Sequence, residues 1–137
     1  MNVRSLALVF LAAVGPLGGC RGREQPDDAF RSFLLAVAAH QEDLAWNRIS
    51  KESQVAMKVA RDEAAAQAPK GTVPNDPRDL LFGDDVQLAR PVDDIKVTSE
   101  DGDVAHVEVI TSGVKHDVKM LREDGRWKVD LTDGLKL

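Results

Sequence analysis

The order of apolar and polar residues divides the chain into three regions. The first is an unbroken apolar run from Leu6 to Val14. In the second, from Asp27, apolar residues recur at helical spacing, and in the third, from Val92, they mostly alternate with polar residues. Helical spacing followed by strand-like alternation predicts an α+β domain, with N-terminal helices packed on an antiparallel sheet.

The first region has the features of a secretory signal peptide. Arg4 precedes the apolar run, and the helix-breaking pair Gly15-Pro16 follows it. The run is far shorter than the ~20 apolar residues that a membrane-spanning helix needs, but it has the size of a signal-peptide core. We therefore expect residues 1–19 to be a cleaved signal peptide.

The tetrapeptide Leu17-Gly18-Gly19-Cys20 resembles the lipobox of bacterial lipoproteins. The resemblance implies that the Cys20 thiol receives a diacylglycerol, that the signal is cut before it and that the new amine is acylated. Two or more acyl chains make a stable membrane anchor. By the family's sorting pattern, Arg21 after the cysteine implies the outer membrane, with the domain facing the periplasm. The alternative is an ordinary secreted protein with an incidental cysteine.

The size and charge of the remaining chain limit its number of domains and its possible partners. Without residues 1–19 it has 118 residues, the size of one domain, which we divide into a tether, 20–26, and a single α+β domain, 27–137. It then carries 17 basic and 23 acidic side chains without a basic cluster, so we expect no nucleic-acid partner. Cys20 is the single cysteine, so no intramolecular disulfide is expected.

The second region predicts four helical segments, two of which are single short turns. Asp27 and Asp28 begin the first helix, whose apolar stripe is Phe30, Phe33, Leu34, Val37 and Ala38. A second turn covers 43–49. A third helix starts after the N-cap Ser50 and ends before Pro69, with a stripe so weak that we expect it half exposed. Asp76-Pro77 predicts one more helical turn, which Gly83 ends.

The third region predicts four strands, at 92–99, 104–111, 114–122 and 127–131, with an edge segment at 86–90. Two-residue turns at Ser112-Gly113 and Asp124-Gly125 place the apolar residues of the last three strands on one face. The other face then carries the charged or ionisable residues His106, Glu108, Asp117 and Lys119. The predicted cross-strand pairs are Thr111 with Val114, Val109 with His116, Val107 with Val118, Ala105 with Met120, Glu123 with Arg126, Arg122 with Trp127, Met120 with Val129, Val118 with Leu131 and, on the outer face, Lys119 with Asp130.

The first hairpin requires a different loop. A two-residue Asp101-Gly102 turn would bring Lys96 and Thr98 onto the apolar face. A three-residue loop, 100–102, keeps the face apolar and places Ile95 beside Val107. We therefore predict the three-residue loop.

Two segments resemble the nuclear-transport-factor-2-like superfamily. Residues 29–35 with Ala45-Trp46-Asn47-Arg48-Ile49-Ser50 are similar to its opening, and 118–130, with a Gly-x-Trp turn, are similar to its final hairpin. The resemblance covers 28–132 and is strongest to small bacterial lipoproteins of the lumazine-binding type. It implies a cone of helices packed into a strongly curved sheet, sometimes with a pocket. It implies no activity, since one fold hosts many functions. Enzymes of this superfamily often place Tyr in the pocket, and this chain has none.

Four residues near the apolar sheet face are candidate ligand-binding residues: His116, Arg122, Trp127 and Thr111. His116 is the ionisable group that the register places well inside this face, and Arg122 across from Trp127 predicts a cation–π contact. The alternative is a hydrogen-bonded histidine near the sheet end and a structural Arg–Trp pair. Since His106 and His116 fall on opposite faces, we expect no metal site, and no motif indicates a cofactor.

Three hypotheses for function follow. The first, which we favour, is a non-catalytic lipoprotein of the cell envelope that binds a protein partner or supports a complex. The second is a binder of a small apolar ligand in the cone pocket. The third is an enzyme of the same superfamily, which the lone His116, without an orienting carboxylate on its face, disfavours.

Overall fold

The computed structural model describes residues 22–82 and 91–133. Within them it confirms the α+β class: three α-helices precede a four-stranded antiparallel sheet of order β1-β2-β3-β4. The predicted signal peptide, Cys20, the edge segment 86–90 and the helix stop at Gly83 lie outside the described residues. The elements are α1 Pro26–Ala38, α2 Glu42–Asn47, α3 Lys51–Gln67, a 3₁₀ helix Pro77–Leu81, β1 Val92–Asp101, β2 Val104–Thr111, β3 Val114–Glu123 and β4 Arg126–Val129.

Helix α1 covers the apolar face of the sheet, where it contacts β1, β2 and β4. Pro26 occupies its first turn, where a missing N–H costs nothing, and Asp27 and Asp28 lie at the positive end of its dipole. Its buried residues are Pro26, Ala29, Phe30, Phe33, Ala36 and Val37. The predicted stripe was wrong at Ala38, which is exposed, and Leu34 is only half-buried. The buried face of α1 is instead centred on Ala29, Phe33 and Ala36.

The predicted register of the last two hairpins is confirmed. Val107 pairs with Val118, Met120 with Val129 and Arg122 with Trp127. Both turns have two residues with positive φ, as type I′ turns require. The predicted pair of Val118 and Leu131 is not part of the ladder, because β4 ends at Val129.

The predicted loop of the first hairpin was wrong. Asp101 pairs with Val104 across a two-residue turn, and Ile95 pairs with Val109 instead of Val107. The extra residue that we placed in the loop lies instead in a bulge between Val97 and Ser99. The bulge restores the alternation, so Ile95 still lies on the buried face.

The segment 48–50, which connects α2 to α3, lies beside β4. Arg48 O accepts from Val129 N–H at 2.8 Å and Ser50 N–H donates to Val129 O at 2.9 Å, which covers the edge of β4. Ser50 caps α3 as predicted, its side chain accepting from Ser53 N–H. The expected exposure of α3 is confirmed, since Val55 and Val59 are 60% and 50% exposed. None of the helices in the described ranges is long and apolar enough to cross a membrane.

Candidate functional site

The candidate anchor, Cys20, lies outside the described residues, but the chain that follows it is fixed to the domain. Glu24 Oε1 lies 2.6 Å from Arg48 Nη1, and Glu24 Oε2 accepts from Trp127 N–H at 3.3 Å. Two residues later Pro26 is fully buried. Within the described ranges, Glu24 is thus attached to the domain four positions after Cys20.

The four candidate ligand-binding residues form two separate pairs. Thr111 Oγ1 and His116 Nε2 are hydrogen-bonded at 2.8 Å, next to the turn that connects β2 to β3. The Arg122 guanidinium lies 4.3 Å from the centroid of the Trp127 ring. His116 and Arg122 are six positions apart on β3, so about 20 Å of extended strand separates them. The structure brings each pair together but does not bring the pairs to one pocket.

Two carboxylates also approach the Arg122 guanidinium. Its Nη2 lies 2.9 Å from Glu100 Oε1, and its Nη1 lies 4.0 Å from Asp103 Oδ1. The Arg122 side chain is 14% exposed, and Trp127 is 1% exposed. Arg122 therefore closes this end of the core and joins the β1–β2 turn to β3.

Side chains fill the apolar face between the two pairs. Phe30 and Phe33 of α1 are fully buried and lie 6.2 Å apart between ring centroids. The sheet residues that share this core are also buried: Val107, Val109, Val118, Met120 and Val129. A ligand between α1 and these positions would have to displace close-packed side chains.

Sequence reasoning placed charged residues on the outer sheet face but did not identify them as a group. Glu108 lies between two lysines, 3.1 Å from Lys96 Nζ and 3.4 Å from Lys115 Nζ. The hydrogen bond from Lys96 contributes most to lowering the Glu108 carboxyl pKa below its ordinary value, although burial opposes the shift. Nearby, His106 Nδ1 lies 2.7 Å from Asp117 Oδ2.

An open cleft of about 270 Å³ lies over this outer face. Its walls are Thr98, Glu108, Lys115, His116 and Asp117. The pattern that could have identified this group is the repetition of opposite charges at alternate positions of neighbouring strands.

The predicted Lys119–Asp130 pair is confirmed, but Asp130 is buried and belongs to a group that joins α3 to the end of β4, of which sequence reasoning missed Ser50 and Ser53. Ser53 Oγ donates to Asp130 Oδ1 at 3.1 Å and accepts from Leu131 N–H at 2.7 Å. Ser50 Oγ donates to Ser53 Oγ at 2.7 Å, and Lys119 Nζ lies 3.1 Å from Asp130 Oδ2. Ser50, Ser53 and Asp130 are all buried.

Opposing effects act on the ionisation of this buried group. Burial alone would raise the pKa of Asp130, but hydrogen bonds from Thr132, Lys119 and Ser53 outweigh it and hold that pKa below the ordinary value. The same contact with Asp130 raises the pKa of the Lys119 ammonium. The pair therefore favours both charged forms in the folded state.

Within residues 22–82 and 91–133, no three His, Cys, Asp or Glu side chains are grouped so that they could hold a metal ion. Comparisons of the chain with protein-family models, with curated proteins and with solved structures found no match.

Proposed function

We propose that this chain is a lipid-anchored protein of the bacterial cell envelope, held by Cys20 and facing the periplasm from the outer membrane. Its domain is of the nuclear-transport-factor-2-like type, with a cone-like curved sheet, and binds a protein partner or supports an assembly without catalysis. One observation carries the proposal: Glu24, four positions after the cysteine of the lipobox-like segment, is held by Arg48 and Trp127. Processing of a lipoprotein would leave Cys20 as the first residue, so only three residues would separate the acylated residue from Glu24.

Two features of the domain support a binding role over a catalytic one. Helix α1 occupies the apolar face, while the outer face of β1–β3 presents charged side chains to solvent. A catalytic site needs acid–base groups within reach of each other and of a reacting atom. His116 is hydrogen-bonded to Thr111, and the His106–Asp117 pair lies on the solvated outer face.

Cell fractionation tests the anchor. Wild-type protein should sediment with outer membranes, whereas the Cys20→Ala variant should be released from them because it has no thiol to acylate. Arg21→Asp is the matched control: it leaves the cysteine intact, so the protein should stay membrane-bound and move to the inner membrane. Wild-type protein in the soluble fraction would contradict the proposal.

Fluorescence titration tests the domain. In a Trp46→Phe background, Trp127 is the single indole and reports on the core beside Arg122. Hydrophobic and aromatic metabolites should give no saturable change. Saturable binding that His116→Ala abolishes would instead favour a small-ligand binder, and a turnover activity lost with the same variant would favour an enzyme.

A further inference from the structure

We propose that the end of the domain around the β3–β4 turn, 124–125, lies against the lipid headgroups, while the β2–β3 turn, 112–113, points away from the bilayer. This inference rests on the proposed anchor at Cys20. It assigns a membrane-facing surface, which the anchor alone does not define.

The length of free chain between anchor and domain carries the inference. Glu24 is held from two sides, by Arg48 Nη1 at 2.6 Å and by Trp127 N–H at 3.3 Å. Glu24 lies four positions after Cys20, and extended chain spans at most about 3.5 Å per residue. The Cα atom of Glu24 therefore cannot lie more than about 14 Å from that of Cys20.

The point where the chain leaves the domain lies near one end of the sheet. Trp127 is the second residue of β4, directly after the β3–β4 turn. The start of α3 lies at the same end, because Lys51 N–H donates to Glu123 Oε1 at 3.0 Å and Lys51 Nζ lies 3.2 Å from Asp124 Oδ2. The turn 112–113 lies at the opposite end of β3, ten residues or about 33 Å along the strand.

The charges at this end permit contact with headgroups without requiring anionic lipid. Arg23, Lys51 and Arg126 are exposed there and can donate to phosphate oxygens. Carboxylates at the same end offset them: Glu24 is paired with Arg48, Asp124 with Lys51, and Asp27 and Asp28 begin α1. We therefore expect the orientation to depend on the short connection and little on the anionic lipid content.

Site-specific fluorescence quenching tests the orientation on the full lipidated protein in vesicles. Because acylation occupies the thiol of Cys20, an introduced cysteine is the single site for a fluorophore. Asp124→Cys and Ser112→Cys are matched positions, since each is the exposed first residue of a two-residue turn with φ near +50°. With spin-labelled headgroups in phosphatidylethanolamine vesicles, we expect quenching several-fold stronger at residue 124 than at residue 112. Adding phosphatidylglycerol should leave the ratio unchanged.

A flexible insertion provides the control. About twelve Gly and Ser residues inserted between Arg21 and Gly22 should reduce the quenching at residue 124 while the protein still sediments with vesicles. Equal quenching at both positions, or stronger quenching at residue 112, in sedimenting protein would overturn the orientation and leave the anchor intact. Acylated protein that does not sediment with vesicles would overturn both.

Discussion

Arg122 and Trp127 are direct cross-strand partners, and the guanidinium lies 4.3 Å from the centroid of the indole that it covers. Glu100, near the end of β1, and Asp103, in the β1–β2 turn, approach the same guanidinium. The Arg122 side chain thus links β1, β3 and β4 and covers the buried ring of Trp127.

Replacing Arg122 with Ala should lower the free energy of unfolding by about 1–2 kcal/mol, because a partly desolvated cation–π contact and an ion pair are both lost. Chemical denaturation followed by circular dichroism measures the change. Arg126→Ala, four residues on and exposed, is the matched control and should cost less than about 0.5 kcal/mol. Equal losses in the two variants would show that Arg122 has no special structural role.

Removing the Asp130 carboxylate should destabilise the domain by about 3 kcal/mol, because Asp130→Ala leaves Lys119 and buried hydroxyl donors without their acceptor. The Asp130 side chain is 1% exposed, whereas that of Asp124 is 82% exposed and pairs with Lys51 at the surface. Asp124→Ala is therefore the control and should change the unfolding free energy little. A loss below about 1 kcal/mol for Asp130→Ala would contradict the role of the buried junction.

The Asp130–Lys119 pair should make stability depend on pH at both extremes. The folded pKa of Asp130 is lowered, so its contribution is complete above the unfolded value of about 3.9 and is lost as pH falls through the folded value. The folded pKa of Lys119 is raised, so its contribution is complete below about 10.4 and is lost as pH rises through the folded value. Urea unfolding across pH should show both losses in wild type and smaller ones in Asp130→Asn. Identical pH profiles would refute the coupling.

Truncating the core at Val129 should cost about 1–3 kcal/mol, from lost apolar burial and the cavity left behind. Val129 is fully buried between β3 and the 48–50 segment. Val59→Ala deletes the same atoms from a side chain that is half exposed on α3, and should be nearly neutral. The difference in denaturation midpoint between these two variants measures the burial of the sheet face directly.

Turn dipeptides and the parity of apolar residues were sufficient to predict the last two hairpins. Ser112-Gly113 and Asp124-Gly125 define where each strand reverses, and any one-residue slip would expose Val107, Val118 and Val129. The same parity argument could not distinguish an extra residue in a loop from one in a strand. The bulge near Thr98 therefore appeared in our prediction as a longer turn, although Ile95 was placed on the correct face.

Contacts between distant segments could not be predicted from local patterns. Ser53 and Asp130 are 77 residues apart, and each is an ordinary polar residue in its own sequence context. The charged outer face was assigned correctly by parity, but the distances among Lys96, Glu108 and Lys115 depend on the twist of the sheet and the bulge in β1. His116 and Arg122 lie near opposite ends of β3 in the predicted register as well, but our prediction grouped them as candidates for one ligand site without using that separation.

The most direct test of the lipid anchor is the intact mass of the protein extracted from membranes, with fragmentation of its N-terminal peptide. The proposal predicts a chain that begins at Cys20, with the mass of residues 20–137 plus a diacylglyceryl group on the thiol and an acyl chain on the amine. A chain that keeps residues 1–19, begins after Cys20, or carries an unmodified Cys20 would contradict it.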